Sequence, residues 1–190
     1  RIMLYLDHAA TTMMNPLVLN DLIKSLEIDF ANPASTHKLG RDLKVSIDKM
    51  REDFVTWLTG KKNGNFYFTS SATESNNTVI FGVELKENDE IIYFESDHKS
   101  ITLPVEKMAL KKIKVISHQL KADGSLNDFC HADPEKIKLV ILSLVNNQSG
   151  NLYDVNEMAA YYKRHYPKAH IHVDAVQGFA KFQYQFNDDI

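Results

Sequence analysis

Apolar positions along this chain follow two periods, one typical of helices and the other typical of strands. A helical pattern begins at Pro16, with Asn15 as a possible cap, and a second pattern predicts a helix over residues 39–58. Beyond them, strands are predicted over residues 66–69, 90–94, 114–117, 139–145 and 170–173, and helices over residues 74–83, after Pro104 and over residues 155–166. This alternation predicts an α/β fold with a mainly parallel sheet and helices on both faces. The nearly uninterrupted apolar run at 139–145 indicates a strand buried on both sides.

The composition is that of an ordinary globular protein. Of the 190 residues, 44% are hydrophobic and 25% are charged, and the net charge of −3 gives no reason to expect nucleic acid or an anionic membrane as a partner. No apolar run approaches the roughly 20 residues that a membrane helix needs. The single cysteine, Cys130, excludes an internal disulfide and fits a reducing compartment, so we expect a cytoplasmic protein.

Polar side chains follow four of the predicted strands, at the end where ligands bind in open α/β sheets. They are residues 70–77 after the first strand, Asp97 and His98 after the second, residues 146–148 after the fourth, and Asp174 with Gln177 after the last. Because the carboxyl ends of parallel strands lie at one edge of a sheet, we expect these groups to converge. The convergence predicts a ligand site more strongly than any one segment does.

Each of these groups has a structural alternative. Small hydroxyl residues before a helix can surround an anion with donors, but Ser71 or Thr73 could equally serve as a plain helix cap. Asp174, at the end of an apolar strand, needs a partner, which could be a protonated ring nitrogen or the N-terminus of the next helix. His98 could act as a general base, a stacking partner or a hydrogen-bonded loop histidine.

Two further patterns give weaker evidence of a catalytic or metal site. Cys130 stands beside His131, as in a cysteine–histidine nucleophile pair, but lies far in sequence from the four strand ends. His170 and His172 alternate on a strand with no third ligand nearby, so we expect no metal site.

Six segments, spread in order over nearly the whole chain, resemble the motifs of one family. They are residues 5–12 (YLDHAATT), 32–41 (NPASTHKLGR), 68–77 (FTSSATESNN), His98, residues 145–150 (VNNQSG) and residues 172–177 (HVDAVQ). The set resembles cysteine desulfurases of the NifS and IscS type, members of the class V aminotransferases. That family has the fold-type I architecture of enzymes that use pyridoxal 5′-phosphate (PLP).

The resemblance implies a role for each matched residue. Ala72 and Thr73 would hold the PLP phosphate, and Asp174 would pair with the pyridine nitrogen. His98 would stack on the pyridine ring and act as a catalytic residue. Asn147 and Gln177 would contact the cofactor on the side of its phenolic oxygen. It also implies conversion of L-cysteine to L-alanine with sulfur passed as a persulfide to an acceptor protein, within a cytoplasmic homodimer. Iron–sulfur cluster assembly is one pathway that such an enzyme serves.

The implied domains are an N-terminal segment (1–15) and an incomplete PLP-binding large domain (16–190), with the C-terminal small domain absent from the chain. The lysine that carries the cofactor and the nucleophilic loop cysteine are expected beyond Ile190, and Lys181 and Cys130 are not these residues. On this expectation the 190-residue chain by itself is inactive.

The sequence departs from the family pattern at two places. Ser71 stands where glycine is usual, which would alter the loop if that position required a positive φ, and Gln148 and Ser149 replace an acidic and an apolar residue. Two other functions therefore stay open: another class V enzyme, such as a selenocysteine lyase or an aminotransferase, and a non-catalytic PLP-fold fragment or partner protein.

Overall fold

The computed structural model describes residues 4–118, 121 and 133–190, and the chain divides into two units, Arg1–Tyr67 and Phe68–Ile190. Of the described helices, none is both long enough and apolar enough to cross a bilayer.

The first unit contains two helices, α1 (Pro16–Ile28) and α2 (Lys38–Thr59). Asn15 caps α1, because its side-chain oxygen accepts the amide of Leu17 at 2.9 Å, which confirms the predicted start. α2 ends at Gly60 in the left-handed region, with a φ of 69°. Near its start, a Cβ on Gly40 would lie 2.6 Å from the carbonyl oxygen of Ser35, so this position needs glycine for close backbone approach.

The second unit is a four-stranded parallel sheet flanked by three helices. Its elements are α3 (Ala72–Gly82), β1 (Glu90–Phe94), α4 (Lys99–Ala109), β2 (Lys114–His118), β3 (Ile137–Ser143), α5 (Val155–His165) and β4 (His170–Asp174). The strand order is β2-β1-β3-β4, and each neighbouring pair is parallel. The predicted α/β fold is confirmed.

Two hydrophobic clusters pack on opposite faces of this sheet. Alternate residues of β3 supply each cluster: Leu139 and Ile141 pack with α3 and α4, whereas Val140 and Leu142 pack with α5. These four side chains are fully buried, and burying each contributes roughly 1.5–3 kcal/mol. The predicted burial of this strand on both faces is confirmed, although the strand lies two residues earlier than expected.

Two predicted elements are wrong. Residues 66–69 form no strand within the described part of the chain; Phe66 instead stacks on Phe54 of α2, with ring centroids 4.8 Å apart. The helix expected after Pro104 begins at Lys99 and contains that proline. Proline normally ends a helix because it lacks an N–H, but the cap at His98 and the burial of Ile101 and Val105 stabilise α4 around it.

Candidate active site

The order of the strands creates a crevice at the carboxyl end of the sheet. After β1 the chain crosses to β2 on one side, and β3 then pairs with β1 on the other side. Such a reversal is where open α/β sheets bind ligands. Asp97 and His98 follow β1 and residues 146–147 follow β3, so both strands that flank the reversal end in polar groups.

Asp174, the last residue of β4, is held in place by two N–H donors. Its Oδ2 accepts a hydrogen bond from Nδ2 of Asn76 at 2.9 Å, and its Oδ1 accepts one from the amide of Val176 at 3.0 Å. The same Asn76 nitrogen donates to Oγ of Ser100 at 3.0 Å, and Oδ1 of Asn76 lies 2.8 Å from Nε2 of His172. The carboxylate is half-buried and partly accessible to a ligand.

His98 is the N-cap of α4. Its Nδ1 accepts the amide of Ser100 at 3.1 Å and lies 2.9 Å from the hydroxyl oxygen of that serine. The side chain is otherwise exposed, and in the described part of the chain its Nε2 has no hydrogen-bond partner. The loop-histidine alternative is therefore correct for one ring nitrogen, and the ring face stays available for a ligand.

The start of α3 combines a helix cap with unused donors. Ser71 is the cap, and its Oγ accepts the amide of Glu74 at 3.2 Å. Glu74 Oε2 accepts the amide and the hydroxyl of Ser70, and these two bonds lower the pKa of the Glu74 carboxyl. Among the described residues, no acceptor faces the amides of Ala72 and Thr73 or the Thr73 hydroxyl.

The backbone at Ser71 is extended, with a φ of −169° and a ψ of 162°. Any residue adopts this conformation, so the replacement of the family glycine leaves the loop unstrained. The condition under which serine would alter the loop, a positive φ at this position, is therefore not met.

The turn after β3 is organised by Asn146 rather than by Asn147. The side chain of Asn146 is buried, donates to the carbonyl of Ser96 at 3.0 Å, and accepts the amides of Gln148 and Ser149 at 2.9 Å each. Asn147 is half-buried, and its side chain makes no hydrogen bond within the described ranges. This amide therefore stays available for a ligand.

Gln177 lies three residues after Asp174, and its Oε1 accepts a hydrogen bond from Lys181 at 3.0 Å. The hydrogen bonds described for Gln177 do not join it to the group around Asn76. Cys130 and His131 lie outside the described residues. No three His, Cys, Asp or Glu side chains come together as metal ligands in residues 4–118, 121 and 133–190.

Asp97 is a buried carboxyl group that the sequence placed among the strand-end polar residues but to which it assigned no role. It is 7% exposed, and its oxygens accept the hydroxyl of Ser143 at 2.6 Å and the amide of Phe94 at 3.2 Å. Burial raises the pKa of Asp97 to about 6; the charge of Asp174 adds to this increase, and the two hydrogen bonds oppose it. Its position directly after an apolar strand was the only sequence signal.

A small cavity adjoins this carboxyl group. It is lined by Phe94, Ser96, Asp97, Ser143, Asn146, Tyr153 and Met158. Its volume of about 10 Å³ has room for one water molecule at most, so it is not the site of a cofactor.

Solved structures share this fold. One described as a NifS-like protein superimposes on 95% of this chain and 51% of its own, with a TM-score of 0.81 and 26% identity. A cysteine desulfurase from Thermococcus onnurineus superimposes on 94% of this chain and 45% of its own, with a TM-score of 0.75 and 22% identity. The expected fold-type I architecture is confirmed.

Related sequences give the same result. The putative cysteine desulfurase IscS 1 of Bacillus subtilis is 30% identical over 181 residues, which are 93% of this chain and 47% of that protein. Cysteine desulfurase IscS of Buchnera aphidicola is 32% identical over 186 residues, 94% of this chain and 45% of its own. The chain thus spans about half the length of the relatives it matches. Residues 4–188 match the model of the class V aminotransferases, and the chain belongs to that family.

Proposed function

We propose that this chain supplies the PLP-binding site of a cysteine desulfurase-like enzyme. The observation that carries the proposal is the half-buried carboxylate of Asp174 at the carboxyl end of β4, with one N–H donor on each oxygen. A carboxylate held in this way, with further lone pairs available, suits a protonated ring nitrogen. The names of relatives from Bacillus subtilis and Buchnera aphidicola support the same enzyme class.

The described donors also fit the other end of the cofactor. The amides of Ala72 and Thr73 and the Thr73 hydroxyl have no acceptor among the described residues, and they stand at the N-terminus of an 11-residue helix. That combination of N–H groups and helix dipole binds phosphate. When bound, PLP supplies an electron sink for the charge that develops at the α-carbon of an amino acid substrate.

The chain's own residues then have separate tasks. Asp174 would keep the proton on the pyridine nitrogen, because its negative charge favours the protonated ring. His98 would stack on the pyridine ring and would be the catalytic residue that carries a proton. The side-chain amides of Asn147 and Gln177 would bind on the phenolic oxygen side of the ring.

We further propose that L-cysteine is converted to L-alanine, with sulfur passed as a persulfide to an acceptor protein such as one of iron–sulfur assembly. The enzyme would act as a cytoplasmic homodimer, with residues 16–190 as its large domain. On this proposal Lys181 and Cys130 are neither the lysine that carries the cofactor nor the nucleophilic cysteine.

Mass spectrometry tests cofactor binding directly. The protein at its full natural length is incubated with PLP, reduced with borohydride, weighed intact and mapped by peptides. One reduced PLP on a single lysine supports the proposal. Absence of any site-specific adduct would favour the non-catalytic partner protein, and an adduct without cysteine-dependent release of alanine would favour another class V enzyme.

A substitution tests the role of Asp174. Asp174→Asn keeps the shape but removes the charge, and we expect loss of cysteine turnover by at least about 100-fold. Asp133→Asn, which precedes β3 at the opposite edge of the sheet, is the matched control and should keep its turnover. Wild-type turnover in Asp174→Asn would contradict the assignment.

A further inference from the structure

We propose that Asn76 is a positioning residue that orients the carboxylate of Asp174 and, through the hydroxyl of Ser100, the ring of His98. This inference rests on the proposed PLP site, because those two residues are its contacts with the ring. Asn76 is 2% exposed and is the only described residue that bonds both to Asp174 and to the partner of His98.

The orientation of the Asn76 amide follows from its neighbours. A carboxylate only accepts hydrogen bonds, so the atom of Asn76 that faces Asp174 must be the nitrogen. The amide oxygen then faces Nε2 of His172, which must donate. Burial lowers the pKa of His172 and so favours the neutral ring, although the charge of Asp174 opposes the change, and the bond to Asn76 places the ring N–H on Nε2.

The second N–H of the Asn76 side chain orients the Ser100 hydroxyl. It donates to Oγ of Ser100, a residue that is 7% exposed. The Ser100 hydroxyl is then free to donate its own proton to Nδ1 of His98, 2.9 Å away, and the Ser100 amide donates to the same nitrogen. The Ser100 amide by itself requires Nδ1 of His98 to accept, and the hydroxyl that Asn76 directs adds a second donor, so the ring N–H lies on Nε2, the side without a described partner.

Removal of this one amide affects both contacts with the cofactor. Asp174 would lose the donor that holds Oδ2, and Ser100 would lose the bond that directs its hydroxyl toward His98. The neighbouring Asn77 provides a matched control, because among the described residues its side chain donates only to the carbonyl of Thr73 on the same helix, at 2.7 Å. The two asparagines thus differ in whether they bond across the site.

The first experiment uses the wild-type protein at full length without cofactor, labelled with ¹⁵N-histidine. Long-range ¹H–¹⁵N correlations report which ring nitrogen carries the proton. We expect the Nε2–H form for both His98 and His172. A proton on Nδ1 of His172, with Nε2 unprotonated, would overturn the proposed orientation of the Asn76 amide, and this readout requires neither a variant nor activity.

The second experiment compares Asn76→Ala with Asn77→Ala. In Asn76→Ala we expect the dissociation constant of PLP to rise about tenfold to a hundredfold. We also expect His172 to become a mixture of two tautomers, because its Nε2 loses the Asn76 oxygen, whereas the Ser100 amide keeps Nδ1 of His98 an acceptor. Asn77→Ala should match the wild type in both measurements. Equal PLP affinity and unchanged His172 signals in both variants would overturn the inference.

The proposed function and this inference fail in different ways. A wild-type protein that binds no PLP would refute the proposed function, and the tautomers would then decide alone whether Asn76 orders the network. Normal PLP binding in the wild type, together with normal binding and tautomers in Asn76→Ala, would leave the function standing and refute the role of Asn76.

Discussion

Replacement of Asp97 by asparagine removes a carboxyl group whose charged form is disfavoured by burial. The side chain keeps its shape, and both hydrogen bonds can persist. The new amide oxygen accepts the Phe94 amide, while the nitrogen donates to Ser143, whose hydroxyl can turn to accept. We therefore expect Asp97→Asn to be more stable than the wild type above about pH 6.

The expected gain follows from the pKa of Asp97, which burial raises from 3.8 to about 6. Because the folded state holds a proton that the unfolded state has released, this group lowers wild-type stability as pH rises from about 4 to about 6. Above that range the charged Asp97 lowers the free energy of unfolding of the wild type by at most about 3 kcal/mol. Since a buried amide also costs some desolvation, we expect a gain of about 1–2 kcal/mol near pH 8 and almost none near pH 4.

Urea unfolding of the cofactor-free protein at several pH values measures this gain. The difference between Asp97→Asn and wild type isolates Asp97, because buried His118 and half-buried His172 affect both proteins alike. Asp21→Asn, exposed on α1, is the control and should change the free energy of unfolding by less than about 0.5 kcal/mol at every pH. A difference that is independent of pH, or an Asp97→Asn variant less stable than wild type near pH 8, would refute the reasoning.

Three other predictions use the same unfolding measurement. Gly178→Ala should lower the free energy of unfolding by about 1–3 kcal/mol, because the new Cβ would lie 2.5 Å from Cδ2 of buried Leu144. The control Gly82→Ala, which has open space around the new Cβ, should leave it unchanged. Equal effects of the two substitutions would contradict this packing argument. Ser71→Ala should lower the free energy of unfolding by about 1 kcal/mol through loss of the α3 cap, and Ser71→Gly by only a few tenths of a kcal/mol. An alanine variant as stable as the wild type would show that the cap does not stabilise the protein. Burial lowers the pKa of His118, so the folded state favours the neutral ring, and the free energy of unfolding of the wild type should fall as pH drops below about 6.5. His118→Gln should reduce this dependence of the unfolding free energy on pH. An unchanged dependence would exclude His118 as its source.

Local patterns were sufficient for much of the fold. The helix from Pro16 was predictable because a proline at the first helical position and an asparagine cap act within one turn. The central strand was predictable because a long apolar run needs burial on both faces. The strand predicted at 66–69 failed for the converse reason: a strand requires a hydrogen-bonding neighbour, and no local pattern shows whether one is present.

In the candidate site, too, the identity of the residues was predictable from local patterns and their arrangement was not. Ala72, His98, Asn147 and Asp174 could be named from the chain alone, since each follows a predicted strand and matches a motif. Their arrangement could not, because the Asn76 bond to Asp174 joins residues 98 positions apart.

Only the packed sheet brings α3 beside the end of β4, and only there does a buried amide have one carboxylate and one hydroxyl to bind. The raised pKa of Asp97 is likewise a property of burial, which neighbouring residues do not reveal. The sequence by itself therefore determined which chemical groups are present and, for Asp97, Asn147 and Asp174, at which strand ends they lie. The tertiary structure decided their hydrogen-bond partners and protonation, because both depend on contacts between distant segments and on the exclusion of water.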